Sequence, residues 1–177
     1  PGKVDKAYGV AVDIGTTTVA AYLCDLQTGK VVATHSMMNP QVTYGEDVMS
    51  RITFVMAHPE DGLEKMHRSI IDGLNHLLRE MADGNGLRPE DLLELVVVGN
   101  TAMHHLFLKI NPGFLGLSPF PPVIHRSFEV KARELGLNVH PSAKVHVLPV
   151  EAGFVGADNV GVLIAEEPYH QDDRILI

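Results

Sequence analysis

In the run YGVAVDIGTTTVAAYLCDL, a carboxylate (Asp13), a glycine (Gly15) and three hydroxyls (Thr16, Thr17 and Thr18) stand between two apolar stretches. Gly15 permits a turn that bares backbone amides, and threonine hydroxyls add donors, a combination suited to phosphate oxygens. Asp13 is a hard oxygen ligand beside that turn. Next to a polyphosphate, a carboxylate acts through Mg2+ or its waters, because the bare charges would repel. The plain alternative is a hairpin glycine followed by threonines that favour a strand.

Two other stretches end a strand in small or polar residues. VVVGNTAMHH sets Gly99 and Asn100 between an apolar run and a short helix. A glycine there admits a close neighbour and a helix start attracts an anion; alternatively the pair is only a turn and a cap. LPVEAGFVGAD places Glu151 before a helix rich in small residues. Its carboxylate can orient a water or a metal-bound water, or simply face solvent. His104 and His105 are neighbours on a helix and point in different directions, which rules out a chelating pair and predicts one in the core and one at the surface. In NPQVTYGEDVMSRI, Asn39, Gln41, Asp47 and Arg51 are candidates for contact with a substrate or partner, the alternative being caps and solvated faces.

A chain of 177 residues, 45% of them hydrophobic, is long enough for one domain with a core. The net charge of −8, with acids scattered throughout, argues against nucleic acid or an anionic membrane as partner, since both require basic patches. Lack of an apolar run of membrane length or of a signal-peptide pattern leads to the expectation of a soluble, cytoplasmic protein. The single cysteine, Cys24, cannot form an internal disulfide and offers no zinc or iron–sulfur spacing; it is expected to be buried.

Positioning these groups requires a sheet. Residues 8–14, TVAAYLCDL and KVVATHSMM read as three strands joined by tight connections, hence an antiparallel meander. GEDVMSRITFVMA and then Leu63 to Met81 carry helical spacing, ended by the glycines of DGNG. LLELVVVGN is a strand without alternation, expected at the sheet centre. TAMHHLFLKI is a short helix, NPGFLGLSPFPPV an irregular loop, and 126–142 a segment without clear period, read as extended. KVHVLPV is a strand, GFVGADNVGVLIAEE a helix, and RILI the opening of another strand. Right-handed crossovers then give an α/β domain with a five-stranded mixed sheet in order 3-2-1-4-5 and helices on both faces. That order brings Asp13, Gly15, Gly99, Asn100 and Glu151 to one rim, at the point where the strand order reverses.

With VDIGTTT, this order of elements resembles the superfamily of sugar and acetate kinases, actin and heat-shock chaperone ATPases. The resemblance implies a ribonuclease H-like fold, one of two halves that clasp ATP and Mg2+. It also implies that Asp13 is the metal-associated aspartate, that Gly15, Thr16 and Thr17 form the phosphate loop, and that Glu151 organises the catalytic water. One departure is clear: the chaperones carry a lysine after the third strand, where this chain has Asn39, Pro40 and Gln41.

A narrower likeness covers nearly the whole chain. NPQVTYGEDVMSRI, VVVGNTAMHHLFL, SPFPPV and LPVEAGFVGAD, in that order, resemble the ATP-dependent reductive activators of corrinoid proteins. In that family ATP hydrolysis helps drive an electron from an N-terminal [2Fe–2S] domain to the cobalt of a partner corrinoid protein; one cysteine cannot hold such a cluster here. The resemblance implies that RILI leads into a second phosphate motif. Residues 1–177 are thus expected to be a single domain, the first half of a split actin-like ATPase domain. Such a half would be a poor ATPase alone, and its apolar face, meant for the missing second half, could pair two copies of the chain. The competing expectations are half of a sugar or acetate kinase, and a non-catalytic module that docks a protein through NPGFLGLSPFPPV.

Overall fold

The computed structural model describes residues 7–170. Strands β1 (Tyr8–Ile14), β2 (Thr18–Asp25) and β3 (Lys30–Met38) form the expected antiparallel meander, with Ile14 opposite Val19 and Thr18 opposite Met38. Helices α1 (Val48–Ala57) and α2 (Gly62–Gly84) lead to β4 (Leu92–Gly99), which pairs parallel to β1, and then to α3 (Thr101–Phe107). After an irregular stretch come β5 (Phe128–Lys131), β6 (Lys144–Val147) and α4 (Ala157–Glu166).

The sheet has six strands in order β3-β2-β1-β4-β6-β5, not five. The extra strand is β5, in the segment read only as extended; it pairs antiparallel to β6, Phe128 against Val147. Four residues long, with half its side chains turned out, β5 is too short to announce itself by alternation. The strand read as KVHVLPV stops at Val147, and residues 153–156 precede α4 rather than belonging to it. RILI lies outside the described residues.

Alternation along the strands divides the sheet into two unequal faces. Val10, Val12 and Ile14 of β1, Leu95 and Val97 of β4, and Val145 and Val147 of β6 are all buried on one face. Against that face α2 lays Met66, Ile70, Leu74, Leu77, Leu78 and Met81, spaced as the 3.6-residue turn demands. Helix α2 stops where Gly86 turns left-handed (φ +64°) and the Leu87 amide donates to Ala82 O. The opposite face carries Ala11, Asp13, Val96 and Val98; α4 rests on it, Gly161 lying beside Val98 and Leu148. Tyr22 and Val96 on that face stay exposed. Helices therefore flank both faces. Among the described residues no helix is long and apolar enough to cross a membrane. Cys24 is half-buried rather than enclosed, because strand alternation puts it with the exposed Tyr22 on the thinly covered face, while its neighbour Leu23 points into the core.

His104 and His105 are both buried, against the expectation of one inside and one outside, because Val123 meets the ring of His105 and Phe128 packs against that of His104. His105 Nδ1 meets Thr101 O at 2.7 Å and its Nε2 accepts from the Val123 amide at 3.0 Å, so the ring is neutral with its proton on Nδ1. His104 packs edge-on to Phe128 with neither ring nitrogen hydrogen-bonded. Burial first, and the neighbouring His105 second, push His104 from 6.5 down to about 4. The folded state thus binds fewer protons than the unfolded chain between those values, and stability is lost as pH falls from 6.5 toward 4. His104→Leu should remove about 3 kcal/mol of that acid loss and stabilise the fold at neutral pH, where a buried ring donor lacks an acceptor. Denaturant melts at pH 7 and pH 4.5 would check both.

Candidate functional site

Asp13 and Gly15 sit at the carboxyl end of β1, and β4, pairing Asp13 with Val98 and Ile14 with Gly99, ends beside them. The connection from Gly15 to Thr17 is tight. A Cβ on Gly15 would lie 2.5 Å from Thr18 O, so only glycine fits. Three successive carbonyls of this loop are held from one side: Gly15 O by Asn39 Nδ2 (2.8 Å), Thr16 O by Arg51 Nη2 (2.5 Å) and Thr17 O by the Asn39 amide (2.7 Å). On the other side the side chains of Thr17 and Thr18 are exposed.

Asn39, Gln41 and Arg51, expected to meet a substrate or partner, are instead 0%, 1% and 0% exposed. They form the inner brace of the loop. Asn39 Oδ1 also caps the turn that follows, accepting from the Gln41 amide, while Gln41 Nε2 donates to Met66 O of α2. Asp47 behaves as the alternative reading had it, a capping-box residue of α1 paired with Ser50. Asn39→Ala would strip Gly15 O and the Gln41 amide of their partners inside the fold, an expected loss of about 2 kcal/mol measured by urea denaturation.

Asn100 ties the loop to the neighbouring strand end: its Nδ2 donates to Thr16 Oγ1 at 3.0 Å, and its Oδ1 accepts from the amides of Ala102 and Met103. The first amides of the two-turn helix α3 are thus satisfied from within. Gly99 and Asn100 position the loop and do not present an open helix start to an anion.

Beside the loop opens a crevice of about 570 Å³, walled by Asp13, Val98, Phe154, Val155 and the first turns of α4. Here lies the carboxylate that sequence reasoning missed. Asp158, in the first turn of α4, faces the same space as Asp13. Asp13 reaches solvent, but through walls that desolvate it; this burial, and then the like charge of Asp158, raise it above the ordinary aspartate range. No lysine, arginine or histidine is among the crevice residues, so the two acids have no protein counter-charge there. Asp158 follows the alanine of EAGFVGAD and was hidden by its ordinary appearance as a first-turn acid, a common helix preference.

Glu151 stands on the same rim but outside this crevice. It is exposed, and its amide and that of Ala152 both donate to Val155 O at 3.0 Å, closing a small loop. Thr101 Oγ1 pins that loop by donating to Ala152 O at 2.6 Å. Among the described residues no group of three or more potential ligands could enclose a metal by itself.

The molecule is thus an α/β domain whose mixed sheet delivers a carboxylate and a hydroxyl-rich loop to the rim where strand order reverses. Its residues 8–171 match the family described as the RACo middle region, and the chain belongs to that family. Over 162 residues it is 38% identical to the corrinoid activation enzyme RamQ of Eubacterium limosum, covering 92% of this chain and 27% of that protein. A solved structure titled reductive activator for corrinoid, iron-sulfur protein is similar with a TM-score of 0.93 and 34% identity, over 97% of this chain and 27% of that one. The chain spans about a quarter of the length of these relatives.

Proposed function

We propose that this chain is a nucleotide-facing part of an ATP-dependent reductive activator acting on a corrinoid protein, with a ribonuclease H-like, actin-like sheet as its frame. Kinship with proteins named as corrinoid activators supports the activity and the partner. The observation that carries the ATP assignment is the junction of the braced Gly15–Thr17 loop with the Asp13–Asp158 crevice.

Two carboxylates without a counter-cation fit Mg2+, which is bound through one or two carboxylates together with substrate phosphates rather than by an all-protein cage. The ion would supply charge neutralisation for a polyphosphate. Asp13 and Asp158 would hold it or its waters, and the hydroxyls of Thr17 and Thr18 would donate to phosphate oxygens. Thr16, its hydroxyl already accepting from Asn100, would keep the loop in register. Glu151, exposed on the rim, would orient water at the far side of a bound phosphate.

Calorimetric titration of the intact protein with ATP tests the reading. Binding is expected with Mg2+ and should weaken at least tenfold in EDTA, since the two acids then face the phosphates unneutralised. Equal affinity with and without Mg2+, or no binding at all, would overturn it.

A further inference from the structure

Arg51 has a place in the fold that caps and packing do not account for. It is the one Arg, Lys, Asp or Glu that the described residues bury completely, at 0% exposure. Its guanidinium donates from Nε to Gly45 O (2.9 Å), from Nη1 to Met103 Sδ (3.0 Å) and Gln41 Oε1 (3.4 Å), and from Nη2 to Thr16 O (2.5 Å). Every acceptor is neutral. The nearest acid in sequence, Asp47, is exposed and spends its carboxylate on the Ser50 amide; its charge favours the guanidinium from a distance but makes no ion pair with it.

A buried cation with no carboxylate in direct contact is costly, and apolar residues of similar size often leave a fold as stable or more so. Burial lowers Arg51 to about 10, which still leaves it charged at neutral pH. The positive charge lies directly behind the loop that borders the acidic crevice. That loop, DIGTTT, contains no cation, and neither does the NPQ that follows β3. An anion on the outer side of the loop would add a counter-charge that the exposed Asp47 supplies only from a distance.

The hydrogen bond to Thr16 O adds a second effect. Together with Asn39, which holds the flanking carbonyls, it keeps three negative peptide oxygens turned away from the crevice. A carbonyl flipped outward would repel a phosphate.

We propose that Arg51 is a positioning residue for a phosphate-bearing ligand: it fixes the inward orientation of the Thr16 peptide and supplies, from beneath, the positive charge that the loop lacks. The proposal rests on the reading of residues 13–18 as a nucleotide phosphate site. It adds that this site is powered by a residue 35 positions downstream, on a different element.

The test uses Arg51→Met and Arg51→Lys in the intact protein, with affinities for Mg–ATP and for adenosine measured by competition against a fluorescent nucleotide. Arg51→Met should weaken Mg–ATP about tenfold or more, as expected for loss of a nearby charge in a low-dielectric site, while adenosine is unchanged. Arg51→Lys keeps the charge without the planar fork and should lose only about threefold on Mg–ATP, again with adenosine unchanged. Unchanged Mg–ATP affinity, or equal losses for the two ligands, would reduce Arg51 to a structural residue and overturn the proposal. If Arg51→Met does not fold, Arg51→Lys decides by the same criteria. Wild-type protein that fails to bind Mg–ATP would instead sink the nucleotide reading itself.

Discussion

Under the proposed function, replacing Asp13 by alanine in the intact protein is expected to lower ATP-dependent corrinoid reduction by about 100-fold or more, the scale on which metal-ion and charge stabilisation act. Asp13 is the crevice acid that the sheet itself fixes, through pairing to both Ala20 and Val98. Its partner Asp158 stands on a helix turn and should prove less critical: Asp158→Asn is expected to lower activity by about tenfold. The two effects should not add, since in the proposed site both acids would act on one cation and the charge of Asp158 raises the energy of the ionised Asp13. Corrinoid reduction followed spectroscopically in the two single variants and the double variant measures this coupling.

Stability should move the opposite way. A carboxyl whose folded-state pKa is raised makes the folded state bind more protons than the unfolded chain, so it costs stability as pH rises through that range. Asp13→Asn should therefore melt at a higher temperature than the wild type at neutral pH, with the difference shrinking as the solution is acidified toward the unperturbed aspartate range. Lower stability and lower activity together would mean that Asp13 serves structure rather than a ligand. A gain in one against a loss in the other is the mark of a group retained for function.

The second large effect is steric. Gly156 is the N-cap of α4, and a Cβ built on it would lie 2.5 Å from both Asn100 Cα and Gly99 O and 2.7 Å from Asn100 C. All three are backbone atoms at the end of β4, so nothing flexible can yield. Its φ of −100° is open to any residue; only the close approach demands glycine. Gly156→Ala should cost about 4 kcal/mol or more, the range reached when backbone must be displaced inside a packed junction. The displaced element would be α4, which carries Asp158, so Mg–ATP affinity should fall along with the melting temperature. Gly84→Ala is the control: a Cβ there meets nothing within 4 Å, and that change should be neutral or slightly stabilising.

Much of this fold is legible because its signals are local. The meander of β1 to β3 follows from β-rich runs and a tight turn, and the long α2 from its apolar spacing and the glycines after it. The unalternating run at 92–99 correctly marked a strand in the sheet interior. Asn100 as a cap is written in its residue type. By contrast, β5 was missed because four residues carry too little pattern, and it exists only through pairing with β6. The two histidines of α3 were divided between core and surface, since a helix alone has an inside and an outside. The structure buries both, because Val123 and Phe128, from the chain after α3, cover rings that a bare helix would leave wet.

The site divides along the same line. Residue types and their order determined that Asp13, Gly15 and the threonines could face an anion at a strand end, because the chemistry of a loop is carried by its own few residues. Only the tertiary structure decided that Asn39, Gln41 and Arg51 turn inward to brace that loop, and that Asp158, rather than Glu151, shares the crevice with Asp13. A polar side chain reads the same in sequence whether it meets water or a backbone carbonyl. Which it meets depends on elements packed from dozens of residues away, and burial then sets both its partners and its charge.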